Sequence, residues 1–469
     1  MMRRIAIIGA GISGLSTAFA IERQARENNV EVEVIVLERE KRTGGKVWSI
    51  HEEGYLCEWG PNGFLDSKPM TLELCDRLDI NDRLLRSNDN ARKRFIYSEG
   101  QLHSLPENGP AFLKSNLMSW PGKLRIAGEM LVPPKRDGAD ESLADFARRR
   151  LGPEALEKLI APMVSGIFAG DPENMSLKSC FPRIDQLERE YGGLLKAMVK
   201  MAKKKKAERK AGKVVASAAG PGGVLTSFQD GIQELTDVAS KSLQGEIRLG
   251  SGIEGILRKN GGYELHLEAG GLVEADIVVS AAPAHALCEM VSDMDEKLSS
   301  ALADIPYAPM NVVCFGYQQE KIEHSLDGFG YLIPRKEETN TLGTLWDSSI
   351  FPNRAPEGHV MLRSMMGGAT NPEAIDLSEE EVVQRVKADL KRIMGIDADP
   401  DFTRVFRHQR AIPQYTVGHG KKIASLDELL DRYPGLFVTG NAFFGVGLND
   451  CVHASNQVAE RVIDFIGKG

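Results

Sequence analysis

The chain has 469 residues, of which 42% are hydrophobic and 26% charged, and its formal net charge is -8. These values are those of an ordinary globular protein of two or three domains, and the acidic balance argues against nucleic acid as the main partner. The six cysteines are scattered, without a CxxC pair or a metal-ligand spacing. They indicate buried thiols in a reducing cytosol, and we expect no metal site.

The first predicted elements are a strand, a helix and a second strand. Residues 5–8 are apolar and run into Gly9-Ala10-Gly11-Ile12-Ser13-Gly14, and a second apolar strand, residues 32–37, ends at Glu38. In a dinucleotide-binding unit Gly9 makes the tight turn, Gly11 lets the backbone approach a pyrophosphate, and Gly14 lets the helix pack on the sheet. Glu38 is placed to accept hydrogen bonds from ribose hydroxyls, and its charge would repel the extra phosphate of NADP. The pattern therefore predicts FAD or NAD.

The same segment offers a second interpretation, a secretory signal peptide. Arg3 and Arg4 precede an uncharged stretch over residues 5–21, and Ala18-Phe19-Ala20 is similar to a cleavage site. Three glycines weaken a signal helix, and an acidic strand end 24 residues after Gly14 has no place in a signal peptide. We therefore expect this segment to stay in the protein and fold.

Helical spacing replaces the strand pattern in the middle of the chain. Between Pro106 and about residue 212, helices are predicted over residues 113–132, 141–151, 154–168 and 184–210. A lysine run at residues 203–206, followed by Arg209 and Lys210, favours a solvated helix face, with contact to an anionic membrane surface as the alternative. Five apolar residues either pack these helices together or touch a membrane: Leu113, Leu117, Met118, Trp120 and Met130.

Strand patterns return in the second half of the chain. After a helix at residues 231–243, strands are predicted over residues 247–257, 263–267 and 277–280. A separate, largely antiparallel sheet is predicted from residues 312–317, 330–333, 344–346 and 360–364, and a helix follows over residues 379–394. The chain ends with a buried strand at residues 436–441, a glycine-rich turn and a helix over residues 452–466.

The order of these elements predicts an α/β fold, α+β overall, with interleaved domains. We expect a Rossmann-like FAD-binding domain from residues 1–85, 220–295 and 410–469. A mixed-sheet substrate domain is expected from residues 86–105 and 296–409, and an all-helical insertion, with membrane contact as an open alternative, from residues 106–219.

Two further segments favour FAD over NAD. Arg42-Thr43-Gly44-Gly45-Lys46 follows Glu38 closely and supplies a second glycine pair, flanked by cations, near the pyrophosphate. The turn of Gly440, Asn441 and Gly445-Val446-Gly447-Leu448 would set N–H groups and a helix dipole against the edge of an isoalloxazine ring that becomes negative on reduction. A nicotinamide-binding fold needs neither segment, so the prediction is FAD.

A set of motifs spans nearly the whole chain: Gly9-Ala10-Gly11-Ile12-Ser13-Gly14, Gly60-Pro61-Asn62, Arg94-Phe95-Ile96-Tyr97, Gly166-Ile167-Phe168-Ala169-Gly170-Asp171, Gly328-Phe329-Gly330-Tyr331-Leu332 and Gly445-Val446-Gly447-Leu448-Asn449-Asp450-Cys451. With them the chain resembles the amine-oxidase-like flavoproteins and, within these, the oxygen-dependent protoporphyrinogen oxidases of haem synthesis. The first and last motifs are shared with the wider superfamily, and the other four point to porphyrinogen oxidation.

The resemblance assigns residues to two sites. Together with the glycine segments above, the FAD-binding set is Gly9, Ala10, Gly11, Ile12, Ser13, Gly14, Glu38, Arg39, Gly45, Lys46, Gly60, Pro61, Asn62, Gly63, Ile253, Gly440, Asn441, Val446, Gly447 and Leu448. Ile253 would meet the adenine through its backbone. For the substrate, Arg94 would anchor a propionate, while Phe329, Leu332 and Met361 would clamp the tetrapyrrole and Gly166 and Gly170 would line the opposite wall.

The activity implied by the resemblance is FAD-dependent, six-electron oxidation of protoporphyrinogen IX to protoporphyrin IX with O2 as acceptor. We expect no indispensable general base, because the cofactor carries the chemistry. The alternatives are oxidation of coproporphyrinogen III, an amine oxidase with Phe443 and Phe444 as a trace of an aromatic cage, and a redox-inactive carrier of lipidated partners. A cytoplasmic location is expected, and peripheral contact with the inner face of the cell membrane, transfer of product to the next haem-pathway enzyme and a homodimer stay open.

Overall fold

Five parallel strands form the central sheet of a computed structural model that describes residues 2–210, 223–259 and 261–468. Their order across the sheet is Glu246–Arg248, Val32–Leu37, Arg3–Ile8, Ile277–Ser280 and Leu436–Val438. Because Arg3–Ile8 is the middle strand and continues into helix Ile12–Glu27, the amino-terminal segment is part of the core. The prediction that this segment folds in place is confirmed.

Both faces of the parallel sheet are covered, as continuous apolar strands require. On one face, Ile5, Ile7 and Val36 pack against the helices Ile12–Glu27, Gln233–Lys241 and Leu448–Lys468. The opposite face packs against a three-stranded antiparallel sheet, Ile253–Lys259, Gly262–Leu267 and Leu272–Ala275, and the helices Ala284–Met290, Glu296–Ala303 and His419–Leu430. The strand predicted over 247–257 is thus two strands, since the chain turns between them at Gly250 with φ +65°.

A second, mixed sheet has seven strands in the order Phe402–Pro413, Tyr307–Gln318, His359–Gly367, Thr341–Leu345, Gly330–Leu332, Arg94–Ser98 and Gln101–Ser104. All neighbours are antiparallel except Gly330–Leu332 and Arg94–Ser98, which run parallel. Helix Glu379–Met394 covers one face, and its bounds match the prediction. Ser378 and Glu381 form a capping box that fixes the start of this helix. The edge strand Phe402–Pro413 was not predicted.

No strand occurs within the described residues 106–210, which confirms the prediction of a helical segment. Its helices are Gly109–Lys114, Trp120–Ala127, Leu143–Arg150, Pro153–Ala155, Ala161–Phe168, Leu177–Cys180, Pro182–Tyr191 and Leu194–Lys210. The single helix predicted over 113–132 is broken, because Ser119 caps a new helix whose first turn contains Pro121. Lys203 and Lys204 are exposed on the last helix, whereas the side chains of residues 205–210 and the whole of 211–222 lie outside the described residues.

Short elements join these parts. They are the strands Ser49–Glu52, Tyr55–Glu58, Phe64–Leu65, Leu84–Arg86 and Leu225–Phe228 and the helices Met70–Arg77 and Asp347–Ile350. Tyr55–Glu58 lies against the uncovered face of the seven-stranded sheet, where Tyr55 and Cys57 pack against Cys314 and Met361. This contact joins the two-stranded sheet of Ser49–Glu52 and Tyr55–Glu58 to the seven-stranded sheet.

Candidate active site

The fingerprint glycines have separable roles in the structure. Gly9 has φ +96°, a conformation that other residues rarely adopt, and a Cβ on Gly14 would overlap the carbonyl oxygen of Gly9. A Cβ on Gly11, in contrast, would meet no protein atom closer than Gly45 Cα at 3.9 Å. Gly9 and Gly14 are therefore required by the fold itself, whereas Gly11 leaves its outer side open for another group.

The second glycine pair lies directly against the first turn. The Gly44 N–H donates to Ala10 O at 2.8 Å, and the Arg42 guanidinium donates to Gly45 O at 2.9 Å. The same guanidinium lies 3.9 Å from the centre of the Trp48 ring, so its plane is held by a cation–π contact. The two turns thus form one cradle of backbone at the carboxyl ends of the parallel strands, where open α/β sheets bind ligands.

The charged residues predicted to touch the cofactor have protein partners. The Glu38 carboxylate accepts hydrogen bonds from the N–H groups of Ala10 at 2.6 Å and Glu40 at 2.9 Å. Arg39 pairs with Glu268 at 2.6 Å. Lys46 Nζ donates to Arg410 O at 2.8 Å and also to Ala411 O, and burial lowers the pKa of Lys46 to about 8.

The loop that leads to Ile253 lies beside the carboxyl end of strand Val32–Leu37, where Glu38 is located. The Ser251 N–H donates to Glu38 O at 2.7 Å, and Ile253 begins the next strand, buried at its start. The backbone predicted to meet an adenine therefore lies near the residue predicted to meet its ribose.

The two ends of the chain come together at this cradle. Ser455 Oγ, in the carboxy-terminal helix, donates to Ser13 O at 2.9 Å. A Cβ on Gly440 would have Ser13 Oγ and Ala281 O as its nearest protein atoms, each at 3.9 Å. Asn449 joins the same helix to the segment after Gly63, since it accepts from the Thr71 N–H at 3.1 Å and donates to Leu65 O at 3.0 Å.

These residues fit a flavin dinucleotide. Gly11 and Gly440 both leave open space beside them, next to the amino-terminal ends of two helices whose first N–H groups favour anions. Asn62 Nδ2 is buried and finds no hydrogen-bond acceptor among the described residues. A buried donor without an acceptor costs stability, so a bound group that supplies one fits this position.

Four of the predicted substrate residues form two contact pairs on or beside strand Gly330–Leu332. Arg94 lies opposite Gly330 in the strand register, and its guanidinium carbon is 5.2 Å from the centre of the Phe329 ring. A Cβ on Gly166 would lie only 2.7 Å from Leu332 Cδ2. The helix Ala161–Phe168 therefore packs closely against this end of the sheet. Desolvation by its surroundings lowers the pKa of Arg94.

Two of the predicted substrate residues lie elsewhere, in the interior. Gly170 is buried, and a Cβ there would meet Gln414 Oε1 at 2.9 Å and Met175 Sδ at 3.1 Å. Met361 is 0% exposed, with its Sδ 3.7 Å from Cys57 Sγ. Neither residue lies on the wall formed by Leu332 and Gly166, because both are enclosed by core side chains.

Met365 occupies the position expected of Met361. It is partly exposed and pairs with Gly343, where a Cβ would lie 3.0 Å from Leu332 Cδ2. Met361 and Met365 share one face of strand His359–Gly367 because side chains alternate along a strand. Alternation identifies the face in the sequence, but only the register against Thr341–Leu345 shows which methionine adjoins Leu332.

Sequence analysis also missed Arg363, which joins the two halves of the site. Its side chain is buried, with Nε 2.8 Å from Asp347 Oδ2, and it donates to Gly60 O at 3.0 Å. The buried ion pair thus fixes the start of the Gly60–Gly63 segment to the seven-stranded sheet. No local motif marks this arginine, since Gly60 is 303 residues away in sequence and Asp347 lies on a different element.

A dinucleotide cradle beside a separate mixed sheet defines a two-domain flavin-dependent oxidoreductase. Residues 12–463 match the family model of the flavin containing amine oxidoreductases, and the chain belongs to that family. FAD is the cofactor of this flavin-containing fold. None of the helices within the described ranges is long and apolar enough to cross a bilayer.

The relatives agree in extent and differ in their named substrates. The chain is 30% identical to the coproporphyrinogen III oxidase of Bacillus subtilis over 99% of its own length and 98% of the relative's. It is 34% identical to the chloroplastic protoporphyrinogen oxidase of Nicotiana tabacum over 98% of its own length and 86% of the relative's.

Solved structures share the fold over the whole chain. The crystal structure of an Exiguobacterium sp. 255-15 protein, provisionally named a protoporphyrinogen oxidase, is 27% identical and superimposes with a TM-score of 0.83 over 98% of both chains. A putrescine oxidase variant covers 100% of both chains at 15% identity, with a TM-score of 0.70, and so shows the fold alone.

Proposed function

We propose that the chain oxidises protoporphyrinogen IX to protoporphyrin IX in haem synthesis, with bound FAD as cofactor and O2 as acceptor. The observation that carries the proposal is the two contacts at strand Gly330–Leu332, Arg94 with Phe329 and Leu332 with Gly166, on the sheet that Arg363 joins to Gly60. Relatives matched over nearly their full length are named as porphyrinogen oxidases.

In this proposal the chain binds and orients a large apolar macrocycle. The Arg94 guanidinium pairs with one propionate, and Phe329, Leu332 and Met365 supply apolar contacts. When bound, FAD would supply the redox chemistry, a six-electron oxidation in three two-electron steps with O2 as the final acceptor. The residues proposed to hold it are the backbone of Gly9–Gly14 and Gly44–Gly45, Glu38, the Gly60–Gly63 segment with Asn62, and the turn from Gly440 to Leu448.

The charges around Arg94 favour protoporphyrinogen IX, which carries two propionates, over coproporphyrinogen III, which carries four. Lys93, the residue before Arg94, already pairs with Asp327, which makes it a weaker partner for a further propionate. The full-length likeness to the Bacillus subtilis enzyme nevertheless keeps coproporphyrinogen III as the second candidate.

A comparison of the rates with the two substrates, assayed separately, tests the proposal. The FAD-loaded protein is mixed aerobically with each porphyrinogen, and porphyrin fluorescence and hydrogen peroxide are followed. We expect the higher kcat/KM with protoporphyrinogen IX. A higher value with coproporphyrinogen III would favour the second candidate, and oxidation of amines without oxidation of either porphyrinogen would contradict both.

We also propose a peripheral contact of the helical segment with a lipid surface. Leu113, Trp120 and Met130 are exposed, whereas Leu117 and Met118 are buried and pack the helices together, which corrects the set expected from the sequence. Exposed Leu124 and Leu131 adjoin the first group in sequence and extend the apolar surface. Sedimentation with anionic vesicles, which Trp120→Ala together with Leu131→Ala should weaken, measures this contact.

A further inference from the structure

The hydroxyl of Tyr415 closes the turn that precedes the carboxy-terminal helix. Tyr415 Oη donates to Asn441 O at 2.6 Å and accepts from the Gly445 N–H at 2.7 Å. The two bonds have opposite sense, so only a group that donates and accepts at once can make both. Burial raises the pKa of Tyr415, which keeps the hydroxyl protonated and able to serve both ends of the turn.

The Tyr415 ring is held in place by contacts with His419 and with the helical segment. It stacks on His419 with ring centres 4.0 Å apart and planes 12° apart. Its carbonyl oxygen accepts from the Ser176 N–H at 2.8 Å, and its side chain packs in a buried cluster with Phe168, Met175 and Val446. The phenol therefore reaches the turn from a support that does not belong to the turn.

Other contacts hold the first part of the turn, where the Phe443 N–H donates to Gly440 O at 3.2 Å and Ala442 and Phe443 are buried in the core. Beyond them lies Gly445, with φ +119°, and a glycine is costly to order because it is flexible in the unfolded chain. Val446, Gly447 and Leu448 follow it directly and lead into helix Leu448–Lys468. The orientation of the peptide groups from Gly445 to Leu448 therefore depends on the distance between Asn441 and Gly445. The Tyr415 hydroxyl bridges these two residues.

We propose that Tyr415 is a positioning residue that fixes the 441–447 turn against the flavin, and so sets the affinity for FAD and the electrostatics at the ring. The inference rests on the proposed function, in which this turn lies along the flavin. Aligned N–H groups and a helix dipole stabilise negative charge on a reduced ring only if their direction is held in advance.

The variant Tyr415→Phe tests this proposal because it keeps the ring and its stacking and removes both hydrogen bonds. Tyr263→Phe is the matched control, since Tyr263 is equally buried and its hydroxyl donates to Pro434 O at 3.0 Å, away from the turn. Both variants should lower the melting temperature of the apoprotein by about 2–4 °C. Only Tyr415→Phe should raise the Kd for FAD, by about tenfold, change the visible circular dichroism of bound flavin and make its midpoint potential more negative.

Gly447→Ala separates a failure of this inference from a failure of the proposed site. Its Cβ would lie 3.3 Å from Asp450 Oδ2, at the movable end of a side chain, so the apoprotein should tolerate it. If Gly447→Ala changes FAD binding and Tyr415→Phe leaves the Kd, dichroism and potential unchanged, the turn is at the flavin and the role of Tyr415 is overturned. If neither variant changes them, the turn is not at the flavin and the inference falls with it, while porphyrinogen oxidation by the unaltered protein is judged separately.

Discussion

The two sides of the site are built on different principles. On the nucleotide side, a short segment of chain supplies the strand, the turn and the helix. Its glycines have local roles, since Gly9 forms the turn and Gly14 allows the helix to pack closely against it. On the proposed substrate side, the neighbours Arg94 and Phe329, or Leu332 and Gly166, are more than 150 residues apart and meet only through sheet register and domain packing. The local sequence pattern therefore predicts the nucleotide side well. It predicts the proposed substrate side less well, because the register between distant strands is not written in any one segment.

The glycine fingerprint gives the largest expected effect. Gly14→Ala would force the helix Ile12–Glu27 away from the sheet, and we expect a loss of about 3 kcal/mol or more in the free energy of unfolding of the apoprotein. Gly11→Ala should leave that free energy nearly unchanged and weaken FAD binding by about 100-fold instead. Urea unfolding of the apoproteins and FAD titration measure both. Equal destabilisation by the two variants would show that Gly11 is a packing glycine and not part of the cofactor cradle.

The ion pair between the two sides comes next. Arg363→Met leaves Asp347 buried without its partner, and the free energy of unfolding should fall by about 3–5 kcal/mol. Lys321→Met, which breaks the more exposed pair of the same sheet with Asp401, should cost less than about 1 kcal/mol. Similar losses in the two variants would mean that Arg363 contributes no more than a surface charge.

The two methionines separate packing from substrate contact. Met361→Ala should lower the free energy of unfolding by about 2–5 kcal/mol, because it opens a cavity in the core, with little change in KM. Met365→Ala should destabilise less and raise KM for the porphyrinogen. Steady-state kinetics and urea unfolding of both variants decide the matter, and the reverse pattern would restore Met361 as a substrate contact.

Arg94 tests the anchoring of the substrate. Arg94→Gln removes the charged partner of a propionate, worth about 1.5–3 kcal/mol, and KM should rise about 10- to 100-fold while kcat holds. Arg94→Lys, which keeps the charge without the fork, should lie between. A collapse of kcat at saturating substrate with KM unchanged would contradict the anchoring role.

Acid lability is the smallest expected effect and concerns the contact between the two sides. His408 Nε2 lies 2.9 Å from Trp59 O, and burial lowers the pKa of His408 to about 4. Between pH 6.5 and pH 4 the unfolded chain binds this proton and the folded chain does not, so stability falls as the pH falls, by up to about 1.4 kcal/mol per pH unit. His408→Gln should remove its share of this dependence in urea unfolding at pH 7 and 5, while His285 and His419, whose pKa values burial also lowers to about 4, keep theirs. Exposed His453→Gln is the control.

Elements with strong local signals were predictable from the sequence. The helix Glu379–Met394 has a capping box at one end and Gly395 with φ +71° at the other, so nearby residues determine both of its ends. Strand Phe402–Pro413 escaped prediction because arginines and other polar residues interrupt its apolar pattern, as suits the edge of a sheet. The positions of Met365, Arg363 and Tyr415 depend on contacts with other elements of the fold, which no local pattern records.

In the proposed function, one FAD bound where the two chain ends meet accepts electrons from a porphyrinogen held beside Arg94. Anaerobic mixing of the FAD-loaded protein with protoporphyrinogen IX, followed at the visible absorption band of the flavin, measures this electron transfer. We expect the flavin to be bleached without O2, and porphyrin fluorescence to grow to completion once O2 is admitted. A flavin that stays oxidised with either porphyrinogen, yet is bleached by a primary amine, would contradict it.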